Sequence, residues 1–137
     1  MKSFVCGVIG AVGSGLAFLF GGWDSAILTL LIFMGIDYIL GFLLAAVFKK
    51  SKHSETGALE SKVGWKGLVK KGVTLLMVVV ANLLDMQLHT DYIRTGVCIA
   101  FMTNELISII ENAALMGVPI PDIITNAIDL LKKGSDQ

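Results

Sequence analysis

At 137 residues the chain has the length of one domain. Its composition, 55% hydrophobic and only 16% charged, departs from the soluble norm towards that of a membrane protein. Eleven basic and eleven acidic residues cancel, so no overall field would recruit nucleic acid. The two cysteines, Cys6 and Cys98, both sit in apolar runs, which excludes a disulfide framework, a CxxC pair and a metal-ligand spacing, and no cofactor is implied.

Phe4 to Phe20 is an uncharged, glycine-rich run of seventeen residues, at the lower limit for crossing about 30 Å of hydrocarbon at 1.5 Å per residue. No A-x-A-like site follows it and a longer apolar run begins at Ser25, so it reads as a retained segment rather than a cleaved signal. Ser3, Gly7, Ala11 and Gly15 recur in it at every fourth position, flanked by Cys6, Gly10 and Ser14. That spacing lays small residues along one helix face, where another backbone fits closely, either within one subunit or between subunits. Gly21 to Asp24 reads as a tight polar turn with an interfacial Trp23.

Residues 25–48 form the surest span, twenty-four residues with only Asp37 charged, long enough for roughly 36 Å of helix. Residues 49–71 read as a hydrophilic connection, with Lys49, Lys50, Lys52, Lys62, Lys66, Lys70 and Lys71 set against only Glu55 and Glu60. A third span over 72–90 carries Asn82 and, towards its far end, Asp85. After the short link His89 to Asp91 comes a fourth apolar segment over 92–117 that contains Arg94, Glu105 and Glu111. Pro119 and Pro121 end it, since neither donates a backbone bond. Asp122 then reads as the N-cap of a short amphipathic helix over 122–133, with Lys132 and Lys133 at its negative end and Gly134 as its stop. The expected fold class is an all-α integral membrane protein of three to four transmembrane helices, with that C-terminal helix lying on the cytoplasmic surface or on a neighbour.

The lysines set the orientation. With both termini in the cytoplasm, Lys2, the seven loop lysines, Lys132 and Lys133 all lie inside, ten of the eleven basic residues, as the positive-inside rule requires. Trp65, Leu68 and Val69 among the lysines also suit a short surface helix on anionic headgroups.

Acidic groups within the spans carry the sharper signal. An ionisable residue at mid-membrane costs roughly 2.5–3.5 kcal/mol on insertion scales, and Asp37 and Glu105 sit near the middle of their segments. Protonation, a polar partner on a neighbouring helix, or a water-filled lumen must offset that cost. At about 100° per residue, Arg94, Asn104, Glu105, Ser108, Glu111 and Asn112 fall within about 120° of arc on the fourth helix, interrupted by Val97 and Phe101. Two arrangements hide such a stripe: burial inside one bundle, against Asp37 and the row Asn82, Asp85 and His89, or a common axis onto which several chains turn their stripes. No catalytic constellation is visible, because neither His53 nor His89 has a nucleophile arranged with it.

The order of pieces also resembles a known family. DYILG from Asp37 to Gly41, GALESKVGWKGLVKK from Gly57 to Lys71, LLD from Leu83 to Asp85, NELISIIEN from Asn104 to Asn112 and GVPIP from Gly117 to Pro121 look like the phage holins that include the clostridial toxin-secretion holins. The likeness runs from about Ile36 to Lys133, and by it Asp37, Gly41, Ser61, Lys62, Gly64, Gly67, Lys71, Asp85, Glu105, Ser108, Glu111, Asn112, Pro119 and Pro121 are signature positions. The resemblance implies a small protein of the bacterial cytoplasmic membrane that oligomerises and lets an endolysin or a large toxin out. It implies membrane lipid, further copies of the chain and an antiholin as partners. Two other readings of the same residues stay open: a small ion channel or proton-coupled transporter using Asp37, Asp85 and Glu105 as a relay, and an antiholin-type regulator.

Overall fold

The computed structural model describes residues 1–135, and all regular structure in it is helical. Helix α1 spans Lys2–Phe20, α2 Ser25–Leu43, α3 Ser61–Leu88, α4 Ile93–Leu115 and α5 Asp122–Ser135. A π-helical turn, Leu44–Phe48, prolongs α2 and ends where Lys49 takes a left-handed conformation. The first four helices are each long and apolar enough to cross a membrane.

Helix α1 ends at Gly21, whose φ of 83° is left-handed, with the Gly22 amide reaching back to the Ala17 carbonyl. Only glycine serves there: a Cβ would also stand 2.5 Å from Asn82 Oδ1 and 2.8 Å from Arg94 Nε. Asp24 caps α2 by accepting from the Ile27 amide at 3.1 Å.

Helix α3 starts earlier than the apolar pattern suggests. Ser61 to Lys71, expected as the end of a hydrophilic connection, form its first three turns, because lysine is a good helix former even where the chain is too polar for hydrocarbon. At 1.5 Å per residue its 28 residues reach about 42 Å, more than a bilayer core needs. At the other end, α5 continues through Gly134 to Ser135 instead of stopping at Gly134, and Asp122 is its first helical residue rather than its cap.

The packed interior is small. Ile27, Leu30, Met34, Val78 and Cys98 form one buried cluster, with Phe20, Leu31, Leu75, Val97, Phe101 and Met102 against it. Helix α4 is the hub, packing on α2, α3 and α5, whereas α1 touches the rest chiefly through α3. Large apolar side chains such as Phe4, Ile9, Ile32, Ile39 and Leu76 are exposed around the bundle. An apolar exterior of that extent belongs in lipid rather than in water.

Candidate functional site

The polar groups of the bundle divide into two clusters on α4, separated by the apolar interior. Arg94 marks one and Glu105 the other, eleven residues apart or about 16 Å along the axis. Val97, Cys98 and Phe101 fill the interval and pack into the buried core. The stripe read from the sequence is therefore broken where the pattern already showed apolar residues.

The first cluster ties helix ends together. The Arg94 guanidinium donates to both Asp24 carboxylate oxygens at 2.8 and 2.9 Å, to the Gly22 carbonyl at 3.3 Å and to the Phe20 carbonyl. Its planar fork serves acceptors that a lysine would not reach together. Asp24 lies in the turn between helices, and its hydrogen bonds from Arg94 hold its carboxyl below the usual value of 3.8. Asp85, on α3, accepts from the amides of Ile93 and Arg94 at 3.1 and 2.8 Å and from the Thr90 hydroxyl at 2.6 Å. It thus caps α4 from a different helix, placing a negative charge against the positive end of the helix dipole. Asn82 Nδ2 donates to the carbonyls of Phe18 and Leu19, at 3.1 and 3.0 Å, which the end of α1 leaves unpaired.

The second cluster joins three helices through side chains alone. Lys71 Nζ lies 2.8 Å from Asp37 Oδ2 and 2.8 Å from Glu105 Oε2. Asn112 Nδ2 donates to the other Asp37 oxygen at 3.2 Å. The three charged side chains are only 14–16% exposed. Asp37 and Glu105 each lie within one residue of the midpoint of their apolar helices. Gly41 stands over Asn112, where a Cβ would lie 4.0 Å from Nδ2, so the small residue lets α2 approach α4.

This triad forms part of the wall of a cleft of about 790 Å³ between α2, α3 and the 49–60 connection. Tyr38, Phe42, Leu59 and Trp65 supply much of its apolar lining, and Ser108 and Lys52 are also on it. The connection folds under the bundle so that Lys52 Nζ reaches Glu111 Oε2 at 2.8 Å and Ser108 Oγ at 3.1 Å. The Tyr38 hydroxyl donates to the Gly64 carbonyl at 3.4 Å across the cleft.

Of the residues singled out by sequence, Asp37, Glu105, Ser108 and Asn112 come together at the cleft, with Glu111 at its edge. Asn82, Asp85 and Arg94 do not join them; of the expected pairing between the fourth-helix stripe and the row Asn82, Asp85 and His89, the contact of Asp85 with Arg94 forms, through the Arg94 amide. His89 is an exposed left-handed cap of α3. Asn104 faces outward. Ser3, Gly7, Ala11 and Gly15 are all exposed, and a Cβ at Gly7 or Gly15 would meet nothing within 4 Å. Lys49, Lys50, Lys62, Lys66 and Lys70 make no salt bridge among the described residues. Three charged partners were missed: Lys71 and Lys52, expected only as loop lysines, and Asp24, expected only in a turn. The signal for Lys71 was present, since two carboxylates at mid-span call for a cation and Lys71 borders the third apolar run.

Residues 14–133 match the profile of the bacteriophage holin family. A protein of Clostridium perfringens without assigned function is 39% identical over 93% of this chain and 91% of its own length. One from Listeria monocytogenes, likewise without assigned function, is 35% identical over 96% of this chain and 89% of its own. A probable holin of Bacillus phage phi105 is 34% identical over 88% of this chain and 84% of its own length. No solved structure matches.

Proposed function

The chain belongs to the bacteriophage holin family, a family of membrane proteins rather than of enzymes, and from that premise we propose that it works by assembling in the bacterial cytoplasmic membrane. Copies of the chain gather there and open a lesion through which an endolysin or a large toxin leaves. Both termini and the lysine-rich connection face the cytoplasm, the orientation that the lysine distribution favours. An antiholin is a natural further partner for a protein whose opening must be delayed.

The observation that carries this reading is the triad of Asp37, Lys71 and Glu105. A lone chain must be tolerated by hydrocarbon, and here each charge is shielded by a partner on another helix. The shielding is incomplete in charge whenever both carboxyls are ionised, because one ammonium then faces two carboxylates. The surplus negative charge is better placed in water than in fat. Assembly that turns the α2–α3 cleft towards a common axis would wet these groups, so the charge that strains the sealed chain favours the open assembly. The apolar core between the two polar clusters keeps the lone chain closed on the Arg94 side of the triad.

The test is inducible expression in bacteria with membrane potential and release of a cytoplasmic protein followed together. Timed loss of potential with release of the whole protein is expected. An ion-selective current without protein release would replace the lesion by a channel, and a chain that stays harmless when made alone would be a regulator of the antiholin type.

A further inference from the structure

Asn104 occupies an unusual place. It is the midpoint of α4, eleven residues from Ile93 and eleven from Leu115, so it stands where hydrocarbon penalises a polar group most. It is nevertheless exposed, and its carboxamide makes no hydrogen bond among the described residues, although the neighbouring Glu105 is held by Lys71. An unpaired amide in lipid leaves two N–H donors and a carbonyl acceptor without partners.

The surface around it is shaped for close approach. One and two turns towards the α4 N-terminus, at four-residue spacing on the same face, are Ala100 and Gly96. Ala100 is exposed and a Cβ at Gly96 would meet nothing within 4 Å. Two turns the other way is Glu111, whose charge is already paired with Lys52 at 2.8 Å, so it does not repel a second negative surface strongly.

We propose that this face of α4 is where two copies of the chain meet, with Asn104 of one copy bonded to Asn104 of the next. Depth and symmetry select that partner. Copies inserted by the same lysine signal are parallel, so the two amides stand at the same level of the membrane. A carboxamide is its own complement, donor to acceptor in both directions, which suits a two-fold contact in which each residue meets its equal. Small residues above it bring the backbones close enough for the bond to form. The proposal rests on the holin reading and deepens it, since it names the contact that pairs the copies, and such pairs are the units from which the larger assembly is built.

Oxidative cross-linking in membranes tests it, with Cys6→Ala as background and the fully buried Cys98 left in place. Asn104→Cys is expected to give a covalent dimer at a yield well above that of Val80→Cys, a control 46% exposed on α3. In vesicles of phosphatidylethanolamine and phosphatidylglycerol, Asn104→Leu is expected to weaken reversible self-association by about 3- to 30-fold, while Asn104→Gln retains it. Because Asn104 makes no hydrogen bond among the described residues, neither variant is expected to disturb folding. Cross-linking of Asn104→Cys no better than that of Val80→Cys, as lipid alone on this face would give, overturns the contact. So does Asn104→Leu self-association equal to that of the parent, whatever either protein does to cells. Conversely, a parent that releases no cytoplasmic protein while Asn104→Cys cross-links in full overturns the holin reading and leaves the contact standing.

Discussion

The two polar clusters of this bundle hold the same number of charges and are built in opposite ways. Around Arg94 most bonds end on backbone: carbonyls of Phe20 and Gly22 receive the guanidinium, carbonyls of Phe18 and Leu19 receive Asn82, and amides of Ile93 and Arg94 are held by Asp85. Around Lys71 every bond runs between side chains of three different helices. A cluster of the first kind cannot open without orphaning helix ends, which is costly in lipid. One of the second kind comes apart when helices tilt or water enters, with the helical backbone intact. The first is thus a tie and the second a latch.

Arg94→Leu would break the comparison most severely. It orphans the Phe20 and Gly22 carbonyls, at roughly 1–3 kcal/mol each, and removes the partner of the half-exposed Asp24, which costs less, a loss on the order of 4 kcal/mol. Thermal unfolding in detergent should register it, with faster amide exchange at the end of α1 and the start of α4. Lys71→Met comes next. It leaves two partly buried carboxylates without their cation, at a cost below the roughly 3–5 kcal/mol of a fully buried pair, and should loosen the cleft while amide exchange at the α1 end stays unchanged. Equal disturbance of exchange at both sites by the two variants would erase the distinction between tie and latch.

The smallest effect concerns pH. Folding lowers the pKa of Asp24 from its ordinary 3.8, chiefly through hydrogen bonds from Arg94. The stability this contributes is complete above that value and is lost as pH falls through the lower folded-state pKa. Asp24 is half exposed, so the loss is modest. The melting temperature in detergent should fall more steeply with acid below about pH 4 in the parent than in Asp24→Asn.

The helices were legible because their signals are long and local: apolar runs of span length, glycine and proline punctuation, and a basic stretch between spans. The start of α3 was not, since hydropathy marks where a helix can enter hydrocarbon and says nothing of the three turns before it. That error hid Lys71, the counter-ion that the mid-span carboxylates required. Helical periodicity placed Arg94 and Glu105 on one arc, but an arc does not tell which neighbour each residue meets, and Asp24 and Lys52 come from connections that periodicity does not describe. Nor does a helical wheel reveal that Asn104, on the border of the polar arc, is exposed and makes no hydrogen bond among the described residues.

Glu105→Leu tests the latch most directly. The change leaves Lys71 with Asp37 alone, a neutral pair that lipid tolerates better than the triad, so the sealed chain gains over the open assembly. Cells making this variant should accumulate full-length, membrane-inserted protein and release no cytoplasmic enzyme over a period in which the parent empties them. Release by the variant at the parent's time and extent would show that the surplus carboxylate has no part in opening.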